Sequence, residues 1–307
     1  MVYYDSKRYQ IEGPYHSKYV VGSLYMLLAV IPIAINTVII TIFLWHPRFK
    51  HQICFRIMSV IAFFECTMSL GYLGMGIFTV RQDTFSNVVE TLFCCLIDVS
   101  LYGIHSTTAL LALNRFAVMA GIRSLLPDFY NVFLTVICSY CFLYFVLALT
   151  PLLNYDFYID LALSRVDKNS VIGEHFVNAL YYLTLSCLGL SLSFYLLTIF
   201  VIMWRRRASS SRKLLSSAEI RILLTAFMTF FVCSMDVFIS NYVTELVDVT
   251  SSATIMFMLF VQFNFGFVNP IVYVCLNREL RRIILCQKIT RKILVRSLQQ
   301  TSVNPYT

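Results

Sequence analysis

Seven long apolar stretches are the feature that most limits what this chain can fold into. A membrane-spanning helix needs about 20 mostly apolar residues, because the hydrocarbon core of a bilayer is about 30 Å thick. All seven stretches exceed that length, and none alternates with the period of two expected of barrel strands. The stretches are Tyr19–Trp45, Ile57–Val80, Thr91–Asn114, Asn131–Leu153, Phe176–Met203, Ile222–Thr244 and Ser252–Leu276.

The composition also favours a lipid environment. Apolar residues make up 59% of the chain and charged residues 13%, whereas a soluble domain has about 25% charged residues. Four of the seven stretches contain no charged residue, and the other three contain one acid each. The sequence therefore predicts an all-α membrane protein built as a seven-transmembrane helix bundle with a short amphipathic C-terminal helix.

The distribution of Lys and Arg predicts the orientation of the bundle. If the seven stretches cross the membrane in turn, 18 of the 24 basic residues fall on one side. The opposite side holds Lys7, Arg8, Lys18, Arg81, Arg165 and Lys168. The positive-inside rule makes the basic side cytoplasmic and places the N-terminus outside. Because these charges cluster at the ends of apolar runs, the net charge of +8 does not indicate a nucleic-acid partner.

The predicted spans divide the chain into three parts. Residues 1–18 form a short extracellular tail, 19–276 the seven-transmembrane bundle, and 277–307 an amphipathic helix with a cytoplasmic tail. The first part is too short for a folded ligand-binding domain. A small-molecule ligand is therefore expected within the bundle or on its outer loops.

The segment after the last span predicts a helix on the inner membrane surface. Leu280, Ile283 and Ile284 share an apolar face, and the basic residues between them stay in water. Cys286 in this segment is a lipidation candidate, and a free thiol is an equal alternative. The ten cysteines show no disulfide framework, and no cluster of ligands suggests a metal or another cofactor.

Three acids near the middle of predicted spans need an explanation, because polar groups in hydrocarbon are costly. On the third span Asp98, Tyr102 and His105 share one helical face. On the sixth, Asp236 and Ser240 do the same. These five residues are the ligand-binding candidates. A structural alternative stays open, in which the acids are neutral and only bond one helix to another.

The third acid, Glu65, lies closer to the cytoplasmic end of its span. We expect it to stabilise the bundle or to act as an internal switch.

The seventh span ends in Asn269-Pro270-Ile-Val-Tyr273. Proline breaks the helical hydrogen-bond ladder, and asparagine can satisfy the freed backbone groups and bond to acids on neighbouring helices. The tyrosine then lies one turn nearer the cytoplasm, where it can change its packing.

A seventh span with this ending, followed by a basic amphipathic helix, resembles the rhodopsin-like G-protein-coupled receptors over nearly the whole chain. The third span ends in Asn114-Arg115-Phe116 where that family has an acid, arginine and tyrosine. The resemblance implies that Arg115 engages a heterotrimeric G protein. It also implies that Asn36 and Glu65 belong to the inner polar network of that family.

Several departures from the family pattern indicate a divergent branch. No Cys lies in the 154–174 loop, and Glu90 stands where the disulfide Cys of the third helix is usual. The seventh span has no Lys, which excludes a retinal Schiff base there. Asn114 cannot pair with Arg115 as an acid would, so Glu219 is the remaining candidate for restraining that arginine.

The nearest resemblance is to nematode serpentine chemoreceptors of classes t and x. It rests on the Asn114-Arg115-Phe116 ending, on the run Cys54-Phe-Arg-Ile-Met58 that opens the second span, and on the short N-terminal tail. The resemblance implies a receptor in the plasma membrane of sensory cells, including their cilia. Such a receptor detects small molecules and signals through a heterotrimeric G protein.

Two other classes compete with a receptor. An intramembrane protease would need Asp98 and Asp236 to form a dyad that shares a proton, but neither stands in a sequence setting typical of such enzymes. A seven-span transporter or ligand-gated channel is the main alternative. Transporters commonly contain internal repeats and paired broken helices, and this chain shows no repeat. We therefore expect a receptor without enzymatic activity.

Overall fold

The structure is a computed structural model in which packed helices form a bundle. It describes residues 15–122, 127–150, 155–158, 163–166, 171–208, 217–238, 259–276 and 280–284. Within these ranges, five helices are long and apolar enough to cross a membrane, and 259–275 forms a shorter apolar helix. Together with the helix Ser217–Phe238 they make up the seven-helix bundle that the sequence predicts.

The helices have the following bounds: α1 Tyr15–Trp45, α2 Ile53–Arg81, α3 Asn87–Ala120, α4 Pro127–Ala148, α5 Val171–Ala208, α6 Ser217–Phe238 and α7 Asn269–Leu276. We call the end of the bundle that holds Trp45, Ile53 and Ala120 the inner end, and the opposite end the outer end. The predicted fourth span reached Leu153, but α4 ends at Ala148. Pro151 accounts for the difference, since a residue before proline disfavours the helical conformation.

The first two helices pack at very close range because glycines face each other. A Cβ added at Gly22 would lie 2.8 Å from the carbonyl oxygen of Gly76, and a Cβ at Gly76 would lie 2.9 Å from that of Gly22. Small residues allow this approach, which is how helices without a hydrophobic driving force associate in lipid. Large apolar side chains such as Leu27 and Phe142 instead cover the outside of the bundle.

An aromatic cluster closes the bundle at its inner end. Phe49, in the turn between α1 and α2, packs against Phe55 with ring centroids 4.6 Å apart. Phe43 joins both rings at 5.1 and 5.8 Å. Tyr273 of α7 contacts Phe43 at 6.1 Å. Tyr273, the tyrosine near the end of the predicted seventh span, therefore lies in this aromatic cluster.

The seventh span is not a uniform α-helix. A π-helical turn, Asn264–Val268, lies directly before α7, and Pro270 is the second residue of α7. Proline cannot donate a backbone hydrogen bond, and π-turns accommodate such local changes of pitch. Asn269 is therefore positioned at the junction of two helical forms.

The predicted amphipathic segment is helical over residues 280–284. Leu280 is fully buried against the bundle, and Ile283 and Ile284 pack beside it. Arg281 turns back and donates a hydrogen bond from Nη1 to the carbonyl of Cys275 at 2.8 Å. The apolar face predicted from the sequence therefore packs on the inner end of the bundle.

A short antiparallel hairpin connects α4 to α5, and the sequence analysis did not predict it. Its strands are β1, Tyr155–Tyr158, and β2, Leu163–Val166, with Tyr155 opposite Val166. The β1 strand lies beside α3. The hairpin is an addition to an otherwise helical fold.

Candidate functional site

A buried polar group joins α2, α6 and α7 in the inner half of the bundle. The Asn269 amide donates a short hydrogen bond to Oε1 of Glu65, and the Thr229 hydroxyl donates to Oδ1 of Asn269 at 2.7 Å. Glu65 is 1% exposed, and the other two side chains have no exposed surface. One asparagine therefore links three helices through both ends of its amide. We call these three residues the polar junction.

Asn36 of α1 is also fully buried and interacts electrostatically with the Glu65 carboxyl. Neither its amide nitrogen nor its amide oxygen has a hydrogen bond of acceptable geometry. The structure thus places Asn36 beside the polar junction, without a hydrogen bond of acceptable geometry to it.

Arg115 lies within the bundle near the inner end of α3. It is 5% exposed, and its Nε and Nη2 atoms have no hydrogen-bond partner in the described part of the chain. Two buried tyrosines, Tyr130 of α4 and Tyr195 of α5, lie within electrostatic range of its guanidinium. A buried guanidinium with unpaired donors is costly, so this group is well suited to bind an acceptor that arrives from elsewhere.

The sequence analysis did not single out the residues of other helices that surround this part of α3. Asn114 is buried beside it, and the Tyr130 hydroxyl lies near Asn114 without forming a hydrogen bond of acceptable geometry. Phe116 stacks on Phe194 of α5, with ring centroids 5.9 Å apart. A helical pattern on one span cannot reveal such partners, because they depend on which helices become neighbours.

Tyr273 links the aromatic cluster to the polar junction. Its side chain is 1% exposed, and its hydroxyl lies near Thr229 and Glu65 without a hydrogen bond of acceptable geometry. The predicted set of Asn269, Pro270 and Tyr273 therefore lies on one short segment. That segment contacts α1, α2 and α6.

Two of the ligand-binding candidates on α3 face α4. The Tyr144 hydroxyl donates to Oδ2 of Asp98 at 3.5 Å, and the rings of Tyr102 and Tyr144 meet edge to face at 5.6 Å. Tyr140 donates to the carbonyl of Tyr102 at 3.0 Å, and its hydroxyl also lies 2.8 Å from that of Ser106. Asp98 and Tyr102 thus belong to a polar interface between α3 and α4.

His105, the third candidate on α3, contacts the seventh span instead. Its ring lies 6.3 Å from that of Phe265 at an angle of 87°. The side chain is 3% exposed, and its Nδ1 atom has no hydrogen-bond partner among the described residues. The predicted stripe is therefore divided between two neighbouring helices.

The candidates on α6 are described less completely. The backbones of Glu219 and Asp236 lie in α6, while their side chains and all of Ser240 fall outside the described residues. Cys233 lies 3.9 Å from Thr108 of α3, measured from Sγ to Oγ1. Cys286 also lies outside the described residues. The described residues contain no group of three or more His, Cys, Asp or Glu suited to a metal ion.

The contact between Thr108 and Cys233 fixes the relative height of the two aspartates. Asp98 lies ten residues before Thr108, and Asp236 lies three residues after Cys233. At 1.5 Å per residue, Asp98 is about 10 Å further toward the outer end than Asp236. A proton-sharing dyad needs carboxyls about 3 Å apart. This height difference argues against the protease alternative.

The comparisons with known proteins support the fold. The chain is similar to squid rhodopsin, with a TM-score of 0.72 and 12% sequence identity, over 89% of this chain and 85% of that one. No protein-family model matches the chain, and no curated protein matches its sequence. The fold is therefore that of a rhodopsin-like seven-helix bundle, and the chain is a multi-pass membrane protein.

Proposed function

We propose that this protein is a G-protein-coupled chemosensory receptor that binds a small molecule in the outer half of its bundle. Arg115 carries the proposal, because it is a buried cation with two unpaired nitrogen atoms close to the inner end. A heterotrimeric G protein would supply acceptor groups to this arginine when the surrounding helices separate. The rhodopsin-like fold is consistent with that role.

The polar junction supports the same function. It connects α2, α6 and α7 through two hydrogen bonds on one asparagine. A movement of α6 relative to α7 exchanges or breaks the bond between Thr229 and Asn269. Glu65 is held at the same asparagine, so a change at the junction is transmitted to α2. Asn36 and Tyr273 lie beside this group, and we assign them to the same inner polar network.

The ligand would contact the polar groups of the outer half. We propose Asp98, Tyr102 and His105 of α3 for this role, together with Asp236 and Ser240 of the sixth span. Asp98 is only partly buried, and its hydrogen bond from Tyr144 is long. Both features suit a carboxyl that exchanges partners when a cationic or hydrogen-bonding ligand enters.

In the resting state, Glu219 at the start of α6 would restrain Arg115, because Asn114 carries no charge. The basic side of the bundle faces the cytoplasm, with residues 1–18 outside, 277–307 inside, and Cys286 available for lipidation. The plasma membrane of sensory cells, including their cilia, is the proposed location. The nematode serpentine classes t and x remain the nearest family resemblance.

The G-protein step is tested with the full-length receptor in lipid nanodiscs and a purified heterotrimer. Nucleotide exchange is measured without ligand, and then with a panel of volatile and water-soluble small molecules. We expect Arg115→Ala to abolish receptor-dependent exchange. Arg282→Ala, an exposed basic residue at the same end, is the matched control and keeps it. Equal exchange by Arg115→Ala and the unsubstituted receptor would refute this step.

The ligand site is tested by Asn substitutions at Asp98 and Asp236. Each substitution keeps the size of the side chain and removes its charge. We expect both variants to reach the cell surface and to shift the concentration of small molecule that gives half-maximal response. An unchanged response in both variants would remove these residues from the proposed pocket.

Glu219→Gln should raise ligand-independent exchange, and an unchanged basal rate would mean that the restraint on Arg115 lies elsewhere.

A further inference from the structure

The inner end of α3 is closed by a turn in which Gly121 and Ile122 bond back to the helix. Gly121 has φ of 73°, a left-handed conformation that favours glycine. Its N–H donates to the carbonyl of Val118 at 3.2 Å, and the N–H of Ile122 donates to that of Ala117 at 2.9 Å. This is a Schellman closure. The carbonyls of Met119 and Ala120 accept neither of these two bonds and lie at the helix C-terminus, which is the negative end of the helix dipole.

A side chain from another helix bonds to one of these two carbonyl groups. Arg205, near the inner end of α5, donates from Nη2 to the carbonyl oxygen of Ala120 at 3.1 Å. The two residues are 85 positions apart in the chain. A cation at a helix C-terminus is favoured both by the unsatisfied carbonyl groups and by the helix dipole. Arg205 thus caps α3 from outside the helix.

Gly121 fits this contact for a second reason. A Cβ added at this residue would lie 2.9 Å from Nη2 of Arg205, the same atom that bonds to Ala120. Any other amino acid at position 121 would strain the backbone and displace the guanidinium. The absence of a side chain at Gly121 therefore leaves the space that the Arg205 guanidinium occupies.

The cap lies close to Arg115, the residue that we propose binds the G protein. Ala120 is five residues after Arg115, which is about 7.5 Å along α3. Between them, Phe116 stacks on Phe194 of α5. The Arg205 bond extends this contact between α3 and α5 to the end of α3.

We propose that the bond from Arg205 to Ala120 is a latch that holds the inner ends of α3 and α5 together in the resting receptor. Its release accompanies the separation of helices around Arg115. This role rests on the proposed function. The competing explanation is that Arg205 only anchors α5 to lipid phosphates, as cytoplasmic basic residues commonly do.

The latch is tested by a distance measurement on the full-length protein in nanodiscs. Noncanonical residues that carry spin labels replace Val118 and Met203, which are exposed on α3 and α5. The native cysteines then stay unlabelled. We expect Arg205→Ala and Gly121→Ala to broaden the distance distribution and to shift it to longer values. Arg207→Ala, an exposed arginine of the same helix end, removes the same charge and leaves the distribution unchanged. Equal changes in the Arg205 and Arg207 variants would support lipid anchoring and overturn the latch.

The regulatory role is tested by ligand-independent nucleotide exchange with the purified heterotrimer. We expect Arg205→Ala to raise basal exchange about two- to five-fold, the population change expected from losing a partly exposed charge at a helix terminus. Combining it with Gly121→Ala adds little, because both variants break the same contact. A longer distance with unchanged exchange, in a receptor whose exchange requires Arg115, would overturn the regulatory role. If the unsubstituted receptor itself gave no nucleotide exchange, the proposed function would be overturned. The distance measurement would still decide whether the latch exists.

Discussion

The polar junction provides the sharpest test of how this bundle is held together. Asn269→Leu removes the hydrogen bond to Glu65 and the one from Thr229. The Glu65 carboxyl is then buried with no hydrogen-bond donor, since its Oε2 atom already has none. An unsatisfied buried polar group costs about 1–3 kcal/mol, and a hydrogen bond between transmembrane helices contributes about 0.6 kcal/mol on average. We therefore expect Asn269→Leu to lower the free energy of unfolding by about 3 kcal/mol.

Three variants separate the loss of a bond from a general packing defect. Glu65→Leu leaves the Asn269 amide without its acceptor, while the double variant with Asn269→Leu removes both polar partners together. The free energy of unfolding of the double variant should therefore fall by about 1–2 kcal/mol less than the sum of the two single-variant decreases. Thr198→Val is the matched control. It removes an equally buried hydroxyl whose hydrogen bond stays within α5, so it breaks no bond between helices and should cost less than Asn269→Leu.

The chain is suited to a thermal assay with a fluorogenic thiol reagent. Buried thiols such as those of Cys54 and Cys95 become reactive only when the bundle unfolds. A chain of this size shifts its midpoint by about 2–4 °C for each kcal/mol. Asn269→Leu should therefore lower the midpoint by on the order of 10 °C. Additive losses in the double variant, or an equal loss for Thr198→Val, would refute the assignment of the junction.

Two further predictions concern packing. Gly76→Ala should lower the thermal midpoint, because its new Cβ would meet the carbonyl of Gly22 at 2.9 Å. Gly189→Ala, where no atom lies within 4 Å, should be neutral or stabilise α5 by about 0.5–1 kcal/mol. Equal midpoints for these two variants would argue against the close approach of α1 and α2. Leu280→Glu should release the C-terminal helix from the bundle, because this side chain is fully buried. Hydrogen exchange of 280–284 should then accelerate at least tenfold, whereas Arg282→Ala should leave it unchanged.

The sequence predicted the helices well because hydrophobic length determines which segments can cross a bilayer. It underestimated most of their lengths. The third span was predicted as Thr91–Asn114, and α3 runs from Asn87 to Ala120. The additional turns contain polar residues such as Glu90 and Arg115, which a hydropathy criterion counts against a span. Helices continue past the apolar core until a capping residue ends them, here Gly121.

The candidate site was predicted only in part, because helical periodicity identifies a face but not its neighbour. Asp98 and His105 share a face of α3, yet one contacts α4 and the other the seventh span. The tyrosines of α4 gave a usable signal, since Tyr140 and Tyr144 are four residues apart and lie on one face. The cap from Arg205 gave none, because a bond to a backbone carbonyl depends on which helix ends meet in three dimensions.

The contacts in this bundle divide it into a stiff part and a part able to change. The α1–α2 pair is packed backbone to backbone through Gly22 and Gly76, and such contacts have no alternative rotamer to adopt. The seventh span is joined to α2 by the hydrogen bond from Asn269 to Glu65, and α6 is joined to the seventh span by the one from Thr229 to Asn269. A hydrogen bond of this kind can be exchanged for another at little net free energy. We therefore expect conformational change in the bundle to occur at α5, α6 and α7, with α1 and α2 as the fixed frame. Arg115 lies on α3, between these two parts, where a small separation of helices is sufficient to expose it.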